Sequence, residues 1–305
     1  MADQAEELRI LMKDNDRVFY PGAERAEENS SAASKPQRKT RIITITSGKG
    51  GVGKTNVATN MAITYAQMGK KVIVVDADLG LANVNVMMNI IPQYNLYHVM
   101  RKQKTMAEII QETEYGIRLV AGASGFSKIA NMGEEERTNF MNEIYTLSDA
   151  DIIIIDTSAG VSKNVLGFVA AADEVVVVTT PEPTSITDAY GIIKIIATEV
   201  DNLNINLKMI VNRVSSAAEG KRVADRMIAI AAQFLNLKLE YLGFIYNDPL
   251  VPHAVLRQKP FVVMDPKGKP SICMRHIVSR LEKLDFDASE GFGRFVRKLF
   301  GRKWD

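Results

Sequence analysis

The stretch Gly48-Lys49-Gly50-Gly51-Val52-Gly53-Lys54-Thr55 puts four glycines, two lysines and a hydroxyl into eight residues, in the spacing G-x-x-x-x-G-K-[ST]. Residues of these types suit one kind of chemistry, the holding of a polyphosphate. Without side chains at the glycines, the backbone wraps closely around phosphate oxygens with its N–H groups turned inward. Lys54 then supplies charge for the terminal phosphates, Thr55 a hydroxyl ligand for Mg²⁺, and Asn56 the next position of the same cradle. Three carboxylates offer the complementary chemistry. Asp76, Asp78 and Asp156 each follow an apolar run, so strands would deliver them to the carboxyl edge of a sheet, where ligands bind in open α/β folds. Asp156, at the end of four consecutive isoleucines, has the place of an aspartate that holds Mg²⁺.

Elements that end at one place must carry these residues. Residues 41–46 are a β-branched run that predicts a buried strand directly before the loop. Directly after it, residues 56–67 show helical apolar spacing at Val57, Met61, Ile63, Tyr65 and Ala66. Strand, glycine loop and helix in that order are the context the motif requires. Six further strand-like runs follow, at 71–76, 117–121, 151–156, 174–179, 205–212 and 239–245, alternating with helical patterns. Most are apolar on both faces, as central parallel strands are. The expectation is an α/β fold, a doubly wound, mostly parallel sheet with helices on both faces.

A chain of 305 residues accommodates one such core with tails. Its composition, 46% hydrophobic and 24% charged, is that of an ordinary globule, and a net charge of +2 gives no reason to expect a nucleic-acid partner. Cys273 is the single cysteine, so no internal disulfide forms, and His98, His253 and His276 lack ligand spacing with it or with one another. No leader pattern or long apolar span is present, which makes the cytoplasm the expected location.

The two ends of the chain read differently from its middle. Residues 1–12 form a short helical pattern with Ala5, Leu8, Ile10, Leu11 and Met12 along one side, too short to be stable alone, and residues 13–40 have the composition of a flexible linker. Residues 41–286 are the expected nucleotide-binding domain. In residues 287–305, Phe292, Phe295, Val296, Leu299 and Phe300 fall on one helical stripe against Arg294, Arg297, Lys298, Arg302 and Lys303. A basic, aromatic amphipathic helix of this kind lies in anionic membrane surfaces. Residues 1–28 carry eight acidic and four basic side chains, a net of −4, whereas residues 289–305 carry a net of +3.

Lys49 is not needed to shape the glycine loop. With it, the run Lys49 to Thr55 resembles the deviant phosphate loop of the MinD/ParA/nitrogenase-iron-protein class of ATPases, and the resemblance extends over about residues 41–265. That resemblance implies Mg²⁺-dependent hydrolysis of ATP to ADP and phosphate by a chain that forms a homodimer when ATP is bound. Lys49 would reach across the dimer to the partner subunit's nucleotide. Asp78 matches the residue that positions the attacking water, so Lys49, Lys54 and Asp78 form the implied catalytic set. Asp76 would act on the metal's water shell, with Thr55 and Asp156 as the other metal residues. Asn212 and Arg213 match the place where the family reads the adenine edge, and Asp248 lies in the loop that forms the other wall of the base pocket. Ala159-Gly160 resembles the switch that senses the γ-phosphate, although Ser158 stands where many relatives have proline.

Within that class, the two-lysine loop, the terminal amphipathic helix and the opening Asp3-Gln4-Ala5-Glu6-Glu7-Leu8-Arg9 resemble the FlhG family, also called FleN or YlxH, which regulates flagellar number and placement. The resemblance implies that Gln4, Leu8 and Arg9 activate an FlhF-type GTPase, that anionic lipids hold the chain on the inner face of the cell membrane in its ATP-bound state, and that flagellar switch (C-ring) components are further partners. A MinD-type division-site ATPase normally starts at the first strand, and a ParA-type DNA- or cargo-positioning ATPase needs a basic surface that the core lacks. These two are the alternatives.

Overall fold

The computed structural model describes residues 40–78, 83–122, 139, 142–143, 146–200 and 206–283. Eight strands, β1 (Arg41–Thr46), β2 (Val72–Ala77), β3 (Gln111–Glu112), β4 (Arg118–Val120), β5 (Ile152–Thr157), β6 (Glu174–Thr179), β7 (Asn206–Val214) and β8 (Leu239–Tyr246), make one sheet in the order β3-β4-β2-β5-β1-β6-β7-β8. Every pairing is parallel except β3 with β4, a two-residue antiparallel edge. Sequence reading missed β3, because two residues are too few to show any period. Where β2, β4, β5, β7 and β8 differ from expectation, they differ by one or two residues at an end, and β1 and β6 do not differ.

The helices among the described residues are α1 (Lys54–Gln67), α2 (Val84–Met87), α3 (Leu96–Met100), α4 (Met106–Ile109), α5 (Lys163–Ala171), α6 (Pro183–Glu199), α7 (Ala217–Leu235), α8 (Leu250–Leu256), α9 (Phe261–Met264) and α10 (Lys269–Leu281). They cover both faces of the sheet, and the strand alternation decides which helix each side chain meets. Val72, Val74, Ile152, Ile154, Val176 and Val178 pack with α1, α8, α9 and α10. Their neighbours Ile73, Val75, Ile153 and Ile155 pack with α3 and α4, and Val175, Val177, Leu207 and Met209 with α5, α6 and α7. This two-sided burial explains the unbroken apolar runs. α1 begins at Lys54 rather than at Asn56, because Gly53 takes a left-handed conformation (φ 98°) as its N-cap and the chain turns helical at once. Val57, Met61, Ile63 and Tyr65 are all buried, as are the polar Thr59, Asn60 and Thr64, so α1 is enclosed rather than amphipathic.

At the opposite edge of the sheet from the carboxyl ends, one carboxylate ties three elements together. Glu282, just past α10, accepts from Arg41 Nη1 of β1 at 2.6 Å and from the Tyr65 hydroxyl of α1 at 2.9 Å. Arg41 also donates from Nη2 to the Tyr65 oxygen at 2.9 Å and pairs through Nε with Glu174 of β6 at 3.0 Å. The start of β1 and the end of α10 are therefore joined.

Candidate nucleotide-binding site

The register of the sheet assembles the site. β2 and β5 run parallel with Asp76 opposite Asp156, and Ile45, one residue from the end of β1, also pairs with Asp156. Two strands thus bring both carboxylates beside the start of the glycine loop. The loop is tight enough to demand its glycines at two points. A Cβ at Gly53 would meet the Asn212 side-chain nitrogen at 2.4 Å, in a left-handed backbone conformation, and a Cβ at Gly48 would fall 2.0 Å from the Asp188 carbonyl oxygen in the second turn of α6. Below the loop, the Ser47 hydroxyl donates to the Lys49 carbonyl at 2.8 Å and the Gly160 N–H donates to the Ser47 carbonyl at 2.9 Å. The segment after β5 is thereby fastened to the segment after β1.

Lys54, in the first turn of α1, is buried, and burial lowers its pKa while the charges of Asp156 and Asp78 oppose that shift. Asp156 is 1% exposed and neither of its oxygens has a hydrogen-bond partner of good geometry. Its pKa is pushed up to about 7, chiefly by burial, with the charges of Asp76 and Asp78 adding to the rise and the Thr55 hydroxyl and Lys54 opposing it. Asp76 is raised to about 6, also by burial, against the backbone N–H groups that it accepts. Those donors are Asp78 at 3.1 Å, Asn83 at 2.9 Å and Val84 at 3.1 Å, so Asp76 holds the backbone at Asp78 and at the start of α2. Backbone bonding of this kind is not visible in the motif.

Among the described residues no group of three or more His, Cys, Asp or Glu side chains is placed to hold a metal ion by itself. One unpartnered carboxylate at Asp156 beside the hydroxyl of Thr55 is instead a donor set for a hard cation that keeps most of its waters and takes phosphate oxygens as further ligands, which fits Mg²⁺.

The Lys49 side chain is held by α6 rather than by the loop. Its Nζ lies 3.1 Å from a Glu182 carboxylate oxygen and 2.8 Å from the Thr184 hydroxyl, both at the start of α6. Beside the loop lies a cavity of about 1090 Å³ whose lining includes Gly53, Asn56, Asn212, Arg213 and Asp248 from the sequence expectations, with Tyr246 and Asn247 of the same expected loop, and Thr180, Pro181 and Ser215, which were missed. Thr180 and Pro181 directly follow β6, so the rule that ligands sit at carboxyl ends would have flagged them. Asn212 is partly committed already. Its Nδ2 donates to the Val52 carbonyl at 2.8 Å and its Oδ1 accepts from the Arg213 N–H at 2.9 Å, with Arg213 at φ 57°. The Asp248 Oδ1 accepts from the Leu250 N–H at 2.9 Å and thereby starts α8. Gln4, Leu8, Arg9, Phe292, Phe295, Val296, Leu299 and Phe300 lie outside the described residues.

A glycine cradle, an enclosed lysine and a lone buried carboxylate at one edge of a parallel sheet are parts of a phosphate-transfer site, and a family model described as "CobQ/CobB/MinD/ParA nucleotide binding domain" matches residues 43–261. The chain is a MinD-like P-loop ATPase. This ATPase is 33% identical over 250 residues to the antiactivator FleN of Pseudomonas aeruginosa, covering 82% of this chain and 89% of FleN. It is 37% identical over 267 residues to the flagellum site-determining protein YlxH of Helicobacter pylori, covering 85% and 90%. It is 32% identical over 244 residues to the septum site-determining protein MinD of Bacillus subtilis, covering 78% and 88%. Among solved structures, a chain of the MinC:MinD cell division protein complex of Aquifex aeolicus superposes with a TM-score of 0.66 at 28% identity, covering 81% of this chain and 98% of that one. The likeness to FleN and YlxH puts this MinD-like ATPase in their branch of the family.

Proposed function

We propose that this ATPase is a nucleotide-switched regulator of flagellar number and placement, which dimerises around ATP, binds anionic membrane in that state, and activates an FlhF-type GTPase through its first twelve residues. The likeness to FleN and YlxH over most of the chain carries this reading. C-ring components are candidate partners on the same ground.

In the chemical step, the loop N–H groups and Lys54 hold the β- and γ-phosphates, and Asn212, Arg213 and Asp248 face the nucleoside. Thr55 and Asp156 would hold Mg²⁺, with Asp76 toward its water shell, and the ion would supply positive charge to the phosphate oxygens. Asp78, whose N–H donates to Asp76, places the attacking water in line with the terminal P–O bond. Lys49 leaves Glu182 and Thr184 to neutralise charge on the partner subunit's nucleotide, so each copy completes the other's site.

The test is sedimentation of the Asp78→Ala chain with saturating ATP and Mg²⁺. Dimers should form with ATP and not with ADP, and Lys49→Ala should remain monomeric. A monomeric Asp78→Ala chain under those conditions would overturn the reading.

A further inference from the structure

The nucleoside cavity holds a polar atom that the fold leaves without a partner. Thr180, the residue after β6, lines the cavity and is 2% exposed, and its hydroxyl makes no hydrogen bond. Its backbone is fully used, since the N–H donates to the Ser185 Oγ at 3.0 Å and the carbonyl accepts from the Thr179 hydroxyl at 3.4 Å. The main chain at Thr180 is therefore held while its hydroxyl stays unsatisfied. Leaving a hydroxyl buried and unpaired costs stability. Valine has the same shape and would avoid that cost, so a threonine here calls for a partner that the ligand-free chain lacks.

Asn212, the position expected to read the base, has an N–H committed to Val52 and an oxygen committed to Arg213. Its remaining capacity is one N–H and one lone pair. A second buried atom among the lining residues, the Asn56 side-chain oxygen, likewise has no partner. The lining also includes Tyr246, Val251, Pro252 and Val255, whose apolar surface suits the face of an aromatic ring.

We propose that Thr180 is a nucleobase-reading residue, its hydroxyl hydrogen-bonding the edge of a purine ring that rests on the Tyr246 side of the cavity. The assignment rests on the nucleotide reading above and adds a specificity residue to it. Thr180 acts on affinity for the nucleoside and has no part in breaking the phosphate bond.

The experiment compares the full chain with Thr180→Val by titration calorimetry against ATP, ribose 5-triphosphate and tripolyphosphate, with melting of the ligand-free proteins alongside. Thr180→Val should weaken ATP binding about five- to tenfold, the effect of one lost hydrogen bond. Binding of ribose 5-triphosphate and tripolyphosphate should be unchanged, and the ligand-free variant should melt at the same or a higher temperature. Unchanged ATP affinity in the variant overturns the assignment, and so does an equal loss on all three ligands, which would place the effect on the sugar or the phosphate loop. A variant that melts several degrees lower shows that the hydroxyl serves the fold, and also overturns it. Failure of the unsubstituted chain to bind ATP would instead overturn the nucleotide reading itself.

Discussion

Removing the Lys54 ammonium takes away the main counter-charge to the phosphates from a buried position, so Lys54→Ala should abolish ATP binding measured by calorimetry. Asp78→Ala should still bind ATP but turn over about 10²- to 10⁴-fold more slowly, the usual worth of placing a water, as read by phosphate release. A pH dependence follows from the other two carboxyls. Asp76 and Asp156 ordinarily ionise near 3.8 and are raised to about 6 and about 7 in the fold. The folded chain thus binds more protons than the unfolded chain between those values, so the stability this gives is complete below about pH 4 and falls as pH rises, the loss ending as pH passes about 6 for Asp76 and about 7 for Asp156. The ligand-free chain should accordingly lose melting temperature between about pH 4 and about pH 7, and Asp156→Asn should flatten part of that slope. The eight loop residues and Asp156 could be picked out from spacing alone, because their chemistry is written in residue type. Thr180 could be flagged only by its place directly after β6, and Glu182 not at all, since nothing in its type marks it until α6 is placed beside the loop.

Buried on every side, α1 positions the phosphate loop by being clamped between the sheet and α10, and a cut in that packing should cost the whole domain. Ile154→Ala, at a 0% exposed position of β5 beneath α1, should destabilise by about 2–5 kcal/mol in denaturant titration, the range for a large-to-small change in a close-packed core. Most strands were readable because a doubly covered parallel sheet leaves solid β-branched runs. The start of α1 was misplaced by two residues because a glycine-led cap gives no Ser, Thr, Asp or Asn signal. β3 was missed, and the clasp of Arg41, Tyr65 and Glu282 was equally hidden, since its members lie far apart in the chain and meet only through the topology.

For the molecule as a whole, the expected assembly joins the nucleotide state to a surface. If residues 287–305 enter anionic lipid, one stripe of five apolar side chains, each worth about 1.5–3 kcal/mol when fully buried, gives marginal attachment for one copy and firm attachment for a dimer. Flotation with anionic liposomes should therefore recover the chain with ATP and not with ADP, and Phe295→Glu should abolish recovery. Deleting residues 1–17 should leave flotation intact and remove stimulation of an FlhF-type GTPase, read as phosphate release from GTP. The clasp also sets the molecule's compass. Thr40 and Lys283 leave the described core side by side at the foot of β1, while the nucleotide edge lies at its other end, one six-residue strand or roughly 20 Å away. The foot of β1 is therefore its end farthest from the phosphate loop, so a substitution in the clasp and one in the cradle should act independently.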